Sequence, residues 1–492
     1  SKVYQNTGII PNQGNFSSTV LWTDTAGAGI GRFSYAPDGC MVYCNGKETC
    51  VWGGNEYRCS GFVVENAGGT TIYDDTEKVN NTMQDANNIA VLYYNYVYIA
   101  STRPIKGVKF YVLTANTAAA TVGVKYWTTV WTPVTNLVDG TILVAGKTLS
   151  QTGSITFDST VDVAKPKFFN GVYAYWYQFI FTGINAATSV YYVTLDAPFQ
   201  PVIDLWDGEP RPILSYIKAV VTNIEETTAV FKEDYVSGNT LTYSDISSFA
   251  ITSYLYLGFA ERMTGLKIVL APGKVNSNAS QMGHNYWNGA GWSSTIWSGG
   301  DLSDGTTDSG KTFAKNGTVT WDAPTESLEF KTSILGSELY YFYRLLVSAP
   351  LSANVYIDYI TGISAQKQIR GYSYPVLWQN RLWLLDDVSG KRNSAICSEM
   401  DTVCVFNGEN AIGPDAPMLF GGDEPLMAGK ALFTRYGGTL YQNLVINKRN
   451  ENWLIDGTTP ADFIKYQIGE NYGTIVPATA VACDFGYELA PG

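Results

Sequence analysis

The sequence predicts an all-β protein in which two tandem jelly-roll sandwiches are inserted into a propeller-like body formed by both termini. This prediction rests on three observations, which are the composition, an internal repeat and a sequence similarity between the two ends of the chain. The 492 residues include 14% aromatic residues and 48 Gly but only 15% charged residues. Strand-forming aromatics with many turn formers and few helix-forming charges favour β-structure.

The internal repeat is the strongest of these signals. Residues 146–158 read GKTLSQTGSITFD, and residues 310–322 read GKTFAKNGTVTWD, with six of thirteen positions identical. Upstream, GVKFYV from Gly107 matches GLKIVL from Gly265, so the offset between the copies drifts only from 158 to 164 residues. A repeat of this length predicts two copies of one structural unit, and each copy has the size of a jelly-roll sandwich.

The domain boundaries follow from the repeat and from composition. Four prolines, Pro198, Pro201, Pro210 and Pro212, cluster between the copies, where they end strands and stiffen the connection. We therefore predict a first sandwich over residues 66–200 and a second over residues 201–364.

The two ends of the chain, residues 1–65 and 365–492, are predicted to form the propeller-like body together. All seven cysteines lie in these two pieces, and an Asn-Gly pair in each marks a turn between apolar runs. Five strands are predicted in the second piece, at residues 376–378, 381–385, 431–435, 441–447 and 452–455. Their spacing fits propeller blades or a sandwich, and we favour an incomplete propeller or one completed by another chain. A short helix is predicted over residues 461–467.

Charge and hydropathy exclude several classes of function. The net charge of −12 and the pI near 4.7 argue against specific nucleic-acid binding, which needs clustered Lys and Arg. Runs of about 18 apolar residues are absent from the sequence, so we expect no transmembrane helix. We also expect no cofactor.

Catalytic residues are sparse. The only histidine, His284, has no counterpart in the first copy, so a surface polar role is favoured over catalysis. Carboxylates stand close in sequence at Asp204, Asp207 and Glu209, and again at Asp322 and Glu326. Such a pair could hydrolyse a glycosidic bond, but neighbouring acids are common in a chain with 44 acidic residues. We therefore predict that the protein is not an enzyme.

The sequence evidence for a metal site is equally weak. Cys40, Cys44, Cys50 and Cys59 lack the paired CxxC spacing of a zinc site, so buried core thiols are the favoured interpretation. The acidic loop at residues 301–308 departs from the EF-hand spacing, so turn formation is favoured over calcium binding.

Aromatic residues are the best candidates for a binding function. Tryptophans and tyrosines crowd the Gly-rich stretch that precedes the GKT segment of the second copy, and others occupy the related place in the first copy. They are Tyr126, Trp127 and Trp131 in the first copy, and Tyr286, Trp287, Trp292 and Trp297 in the second. Such rings stack on sugar faces, but they also build cores and subunit contacts. We favour core or subunit contact over glycan contact.

The chain resembles virion proteins of tailed bacteriophages, in particular nozzle-type tail proteins in which a propeller-like body carries inserted sandwich domains. The resemblance lies in YAPDGCMVYCNGKE from Tyr35, VWGG from Val51 and QNRLW from Gln379, together with the repeated Tyr-Trp, Asp-Gly-Thr and Gly-Lys-Thr units. It carries over no catalytic residue.

The resemblance implies a structural subunit of the phage particle, located in the virion and assembled in the host bacterial cytoplasm. Its expected partners are other copies of itself in a ring and neighbouring virion proteins. The alternative function is a receptor-attachment protein that binds a host surface glycan through the sandwich aromatics, and a polysaccharide hydrolase is the weakest candidate.

Overall fold

The structure is a computed structural model that describes residues 2–6, 16–65, 71–81, 89–92, 96–220, 230–233, 243–247, 249–436, 439–474, 476, 480–483 and 486–489. Strands make up 50% of it and helix 2%, which confirms the all-β prediction. The chain divides into two units, residues 1–207 with 367–492, and residues 208–366.

The strands are numbered along the chain. Up to residue 204 they are β1 Lys2–Asn6, β2 Phe16–Thr23, β3 Arg32–Tyr35, β4 Met41–Cys44, β5 Thr49–Trp52, β6 Gly54–Arg58, β7 Gly61–Glu65, β8 Ile72–Asp74, β9 Ala90–Val91, β10 Tyr96–Ser101, β11 Gly107–Thr114, β12 Thr121–Trp127, β13 Trp131–Pro133, β14 Val138–Asp139, β15 Gly153–Thr156, β16 Pro166–Phe169, β17 Val172–Thr182, β18 Ser189–Ala197, β19 Gln200–Pro201 and β20 Ile203–Asp204, with one helical turn, α1, at Thr76–Val79. The second unit contains β21 Ser215–Val220, β22 Val230–Glu233, β23 Ser244–Asp245, β24 Ser253–Phe259, β25 Met263–Leu270, β26 Met282–Tyr286, β27 Ile296–Trp297, β28 Leu302–Asp304, β29 Gly317–Trp321, β30 Lys331–Thr332, β31 Tyr340–Val347 and β32 Tyr356–Ser364. The C-terminal part contains β33 Lys367–Gln368, β34 Tyr372–Trp378, β35 Arg381–Asp387, β36 Ser394–Cys397, β37 Met418–Leu419, β38 Ala428–Tyr436, β39 Thr439–Asn447, β40 Glu451–Asp456, β41 Ile464–Glu470, β42 Ala480–Cys483 and β43 Gly486–Leu489.

The first unit contains a sandwich of two antiparallel sheets. One sheet has the order β13-β12-β17-β10-β7-β8, with β16 beside β17, and the other has the order β14-β15-β11-β18-β6, with β9 beside β18. Apolar side chains from both sheets, such as Ile99 and Phe179 from one and Phe110 and Val193 from the other, share one buried core. Strands β6 and β7 precede residue 66, so this sandwich begins before the start of the predicted domain.

The second unit repeats this sandwich, except that β6 of the first copy has no counterpart among the described residues of the second. One sheet runs β22-β21-β24-β31-β26-β27 with β30 beside β31, and the other runs β23-β32-β25-β29-β28. The central strands β10, β12 and β17 of the first copy thus correspond to β24, β26 and β31 of the second. The tandem sandwiches predicted from the repeated GKT segment are present, although the four-part division of the chain stays a prediction.

A buried asparagine holds the GKT segment in each copy. In the first, the Asn116 amide Nδ2 donates to the carbonyls of Ala118 and Thr148, while its Oδ1 accepts from the backbone N–H groups of Ala118 and Asn185, all at 2.9–3.1 Å. In the second, Asn276 makes the same four bonds, to Asn278, Thr312 and Ser352, at 2.8–3.0 Å. A buried amide with every bond made fixes the backbone around it.

The Asp-Gly-Thr turn before each GKT segment is held by a second shared network. In the first copy, the Thr141 hydroxyl donates to Asp139 at 2.5 Å and accepts from the backbone N–H of Leu149 at 2.8 Å. In the second copy, Thr306, Asp304 and Phe313 make the same two bonds at 2.6 and 2.9 Å. Leu149 and Phe313 are buried with φ of 59° and 53°, a left-handed conformation that is rare for such residues. The duplication therefore includes local strain as well as topology.

The terminal pieces add further sheets to the first unit. Four-stranded antiparallel sheets have the orders β19-β5-β4-β3, β34-β35-β36-β37 and β38-β39-β40-β41. The Gly46 N–H donates to the Tyr372 carbonyl, so the two ends of the chain are in contact. A closed propeller ring is not shown among the residues described above, and the propeller-like body stays a prediction.

Local structure in the C-terminal part agrees with the five predicted strands but not with the predicted helix. Residues 464–470 form β41, which pairs with β40 from Glu451↔Glu470 to Asp456↔Ile464, so the helix over residues 461–467 is wrong. The hairpin between β34 and β35 turns at Gln379 and Asn380, both at positive φ, as a two-residue turn requires.

Candidate functional site

The aromatic residues of the first sandwich lie at the hairpin between β12 and β13. Trp127 and Trp131 face each other across this hairpin, with ring centroids 5.3 Å apart at 74°. Tyr126, one residue earlier, points to the opposite face of the sheet and packs against the inner core. Because alternate strand residues face opposite ways, this aromatic set is split between the two faces.

The second sandwich repeats this arrangement at the end of β26. Trp287 and Trp292 meet across the turn at residues 288–291, with centroids 5.6 Å apart at 79°. Tyr286 packs against the inner core, as Tyr126 does. Trp297, paired with Gly283 in β27, is 37% exposed and has no counterpart in the first copy.

Each sandwich carries an aromatic cluster on the outer face of this sheet. The first outer cluster combines Val63, Tyr98, Ala100, Ala174 and Trp176 with the partly buried Tyr96, Trp131, Phe169 and Val172. The second outer cluster combines Ile217, Ala219, Tyr256 and Phe342 with Tyr254, Trp292, Ile334 and Tyr340. Of the seven residues singled out from the sequence, only Trp131 and Trp292 belong to these clusters. The structure therefore does not bring the seven together as one site.

The charges at the two outer clusters differ. In the first, the Tyr98 hydroxyl donates to Glu65 at 2.7 Å and accepts from the Gln178 amide at 3.2 Å. In the second, the position of Gln178 is taken by Arg344, whose guanidinium lies 4.4 Å from the Tyr254 ring centre and 4.9 Å from that of Trp292. Such cation–π contacts strengthen the packing of a half-buried tryptophan.

Arg344 is also held from the neighbouring strand. Its Nε donates to Asn285 Oδ1 at 3.0 Å, and only 9% of the residue is exposed. In the first copy a different cation, Lys167, lies 3.5 Å from the Trp127 ring centre, and burial lowers the pKa of this lysine to about 8. Both outer faces thus combine planar rings with a cation, a surface that can stack on a sugar or pack against another protein.

His284 lies in the core rather than on the surface, so the expected surface role is wrong. Strand β26 points its side chain inward, where the ring centre lies 4.4 Å from that of Trp321. Burial lowers the pKa of His284 to about 3, so the imidazole is neutral at physiological pH. The equivalent position in the first copy is the buried Val124.

The candidate carboxylates serve mainly structural roles. Asp204 is buried, and its Oδ1 accepts from the backbone N–H of Phe406 and the amide of Asn407, both at 2.7 Å. Glu209, Asp322 and Glu326 are exposed. Asp304, in the acidic loop, accepts from the residues that form its own turn. A carboxylate occupied by backbone donors is a poor general acid or base.

The cysteines are core residues wherever their side chains are described. Cys40, Cys44, Cys50, Cys59, Cys397 and Cys404 are free and buried, while the Cys483 side chain lies outside the described residues. Burial raises the pKa of Cys44 to about 12 and also raises that of Cys40, so these thiols stay protonated. Across the described ranges, no group of three or more His, Cys, Asp or Glu could hold a metal ion.

An exposed apolar loop tip was missed by the sequence reasoning. Between Thr141 and Gly146 the first copy carries Ile142-Leu143-Val144-Ala145, with the side chains of Ile142, Leu143 and Val144 exposed by 38%, 69% and 49%. The second copy carries Thr307-Asp308-Ser309 in the same place. The repeat alignment contained this signal, because three apolar residues in one copy replace polar residues in the other.

Within the described ranges, no helix has the length and apolarity needed to cross a membrane. No protein-family model matches the sequence, and no curated protein matches it. Among solved structures, the chain is similar to the CBM32-1 and CBM32-2 domains of Clostridium perfringens ZmpB, at 7% identity and a TM-score of 0.18 over 62% of this chain and 92% of that one. At that TM-score the likeness carries no argument about fold or function.

Proposed function

We propose that this chain is a structural subunit of a bacteriophage virion, a tail component of the nozzle or adaptor type that acts as an assembly scaffold. The observation that carries the proposal is the duplicated frame. Two sandwiches keep the same buried hydrogen-bond networks while their exposed loops and outer faces differ. A rigid frame with variable surfaces suits a protein whose role is to contact several neighbours.

The chemistry of the reactive groups supports a scaffold rather than an enzyme. The one imidazole is neutral and buried, the described thiols are buried, and Asp204 is bonded to backbone. General acid–base and nucleophilic catalysis need groups that reach a substrate with a pKa near the working pH. The groups named above are buried or bonded in structural roles, so they do not meet these requirements.

The expected partners are copies of this chain in a ring and neighbouring virion proteins, with assembly in the host bacterial cytoplasm. Their identity rests on the resemblance carried by the segments from Tyr35, Val51 and Gln379. Heterologous contacts between identical subunits close into rings when the rotation allows it.

Light scattering coupled to size-exclusion chromatography tests the proposal on the purified chain. We expect a closed assembly of several copies, visible as rings by negative-stain electron microscopy. A chain that remains monomeric at all concentrations, and that does not enter particles when supplied to a phage lacking it, would contradict the scaffold role.

A second candidate is glycan attachment through the aromatics of the second sandwich. The observation that favours it is the edge-to-face pair Trp287 and Trp292, which is only half-buried beside a turn of small residues. A sugar ring stacks on such a surface while its hydroxyls reach polar neighbours.

A glycan array tests this candidate. If sugars bind here, Trp287→Ala removes binding while the circular dichroism spectrum stays unchanged. Trp127→Ala, at the equivalent place in the first copy, is the matched control and should leave binding intact. Absence of binding to any glycan on a broad array eliminates this candidate.

A further inference from the structure

We propose that the tip Ile142-Leu143-Val144 of the first sandwich inserts into an apolar groove on a second copy of this chain. The inference rests on the proposed function, since it names the contact through which copies assemble.

The apolar tip is not required by the fold. Both copies keep the Asp-Gly-Thr turn and the GKT segment, with Gly146 and Gly310 at φ of 75° and 76°. The second copy achieves this with Thr307, Asp308 and Ser309 in place of the tip. Three exposed apolar side chains therefore serve a purpose other than holding the loop.

The tip is built to present these side chains outward. The Leu143 N–H donates to the Ser150 hydroxyl at 2.7 Å, and the Lys147 N–H donates to the Val144 carbonyl at 3.0 Å, so the backbone polar groups are bonded inside the loop. Fixing the loop beforehand lowers the entropy lost when its side chains become buried against a partner.

Charge argues against an anionic lipid surface as the occupant. The chain has a net charge of −12, and Lys147 is the only Lys or Arg in the segment from Asp139 to Leu149. Loops and helices that bind anionic membranes combine apolar residues with several cations. A protein surface is therefore the better match for this tip.

The same chain offers a groove of matching chemistry. It has a volume of about 430 Å³, and its lining includes the apolar or aromatic side chains of Val3, Tyr4, Phe16, Phe33 and Tyr43 beside Lys2 and Gly31. Phe16 and Phe33 are 72% and 50% exposed, so two large apolar rings at this groove are accessible to solvent. A volume of this size lies in the range of pockets that bury small ligands.

A tip and a groove on one chain define a heterologous contact. The tip of one copy enters the groove of the next, whose own tip remains available for a third copy. Repetition of such a contact gives a ring or a filament, whereas a two-fold dimer would use the same patch twice.

Mutation of the tip is the first test. We expect Leu143→Asp to raise the dissociation constant for self-association at least about tenfold in sedimentation experiments, with no change in the thermal unfolding transition at concentrations where both chains are monomeric. Ser309→Asp places a charge at the equivalent loop of the second copy and is the matched control, which should associate like the unmodified chain.

Disulfide trapping is the second test. Leu143→Cys and Phe33→Cys, each made in its own chain, should give a crosslinked dimer when mixed under oxidation and none when oxidised separately. The described native cysteines are buried, and the unmodified chain controls for the others.

The outcomes separate this inference from the proposed function. Assemblies that persist in Leu143→Asp, with no crosslink in the mixture, overturn the tip-and-groove contact and leave the scaffold role standing. A wild-type chain that is monomeric at all concentrations overturns the tip-and-groove contact, and it overturns the scaffold role as well if it also fails to enter particles of a phage lacking it. Binding of a monomeric chain to phosphatidylcholine vesicles, lost in Leu143→Asp, would assign the tip to a membrane and overturn the inference.

Discussion

The two sandwiches share a frame but differ in what they place on it. The GKT segments, the buried asparagines and the strand order are the same, whereas the core at β26, the outer face at Arg344 and the loop tip are not. Features that recur in both copies are those that the fold needs. Features that differ between the copies were free to change. Features of the second kind are where function is to be sought.

The largest expected effect is the loss of a buried asparagine. Asn116→Ala and Asn276→Ala each leave several backbone groups unpaired, and each unpaired buried group costs about 1–3 kcal/mol, so we expect losses of at least about 3 kcal/mol in both. Hydrogen exchange measured by mass spectrometry assigns each loss to its own unit. Asn278→Ala, an exposed residue, is the control and should change stability little. Clearly unequal losses of stability in the two variants would contradict the claim that both asparagines hold the same frame.

The core of the second sandwich should respond to acid through His284. Its folded pKa lies below the unfolded value of 6.5, so the unfolded state takes up the proton first as the pH falls, and stability is lost from pH 6.5 towards 3. Between pH 6.5 and 5 this amounts to about 1.7 kcal/mol.

His284→Val copies the first sandwich and should remove that loss. Urea unfolding at both pH values measures it as a difference between variant and wild type. Burial raises the pKa of Glu329, which acts in the opposite direction, but this contribution is common to both proteins and cancels. Equal pH dependence of the two proteins would show that His284 is not buried in the neutral form.

The two outer clusters should differ in how much stability their tryptophan contributes, because Arg344 lies over Trp292 in the second cluster. Trp292→Ala removes a ring that contacts both Arg344 and Tyr256, whereas Trp131→Ala removes one that contacts Tyr98 and Trp127. We expect the first substitution to cost about 1 kcal/mol more, the size of one cation–π contact. Arg344→Gln, which copies Gln178, should abolish the difference, and a difference that survives it would assign the effect to packing alone.

The smallest effect concerns Ser309, which has a φ of 48°, while the corresponding Ala145 is not at positive φ. Glycine adopts this conformation without strain, so Ser309→Gly should stabilise the second sandwich by about 0.5 kcal/mol. A thermal melt measures it, with Ala145→Gly as the control in which no gain is expected. Destabilisation by Ser309→Gly would mean that the serine side chain supports the loop.

Sequence reasoning predicted the duplication well because the repeated residues are those that form the shared networks. It missed Asn116 and Asn276, which lie about thirty residues before the segments they hold, so that only the folded chain brings them together.

The face on which a side chain lies was harder to predict. Successive residues of a strand point to opposite faces of the sheet, so Tyr126 and Trp127 lie on different faces although the sequence groups them together. The absence of a histidine from the first copy favours a surface position for His284, but β26 places its side chain on the inner face. The helix over residues 461–467 failed because pairing with β40 outweighs the weak helical tendency of that segment. The propeller-like body and the virion role stay predictions.

Exchanging the tip between the copies tests whether one frame carries two independent surfaces. Ile142-Leu143-Val144-Ala145 is replaced by Thr-Asp-Ser from the second copy, and both unfolding and self-association are measured on the purified chain. We predict an unchanged unfolding transition at concentrations where both chains are monomeric, together with loss of the assembled form. A destabilised first sandwich, or assembly as in the wild type, would contradict the claim that one frame carries two independent surfaces.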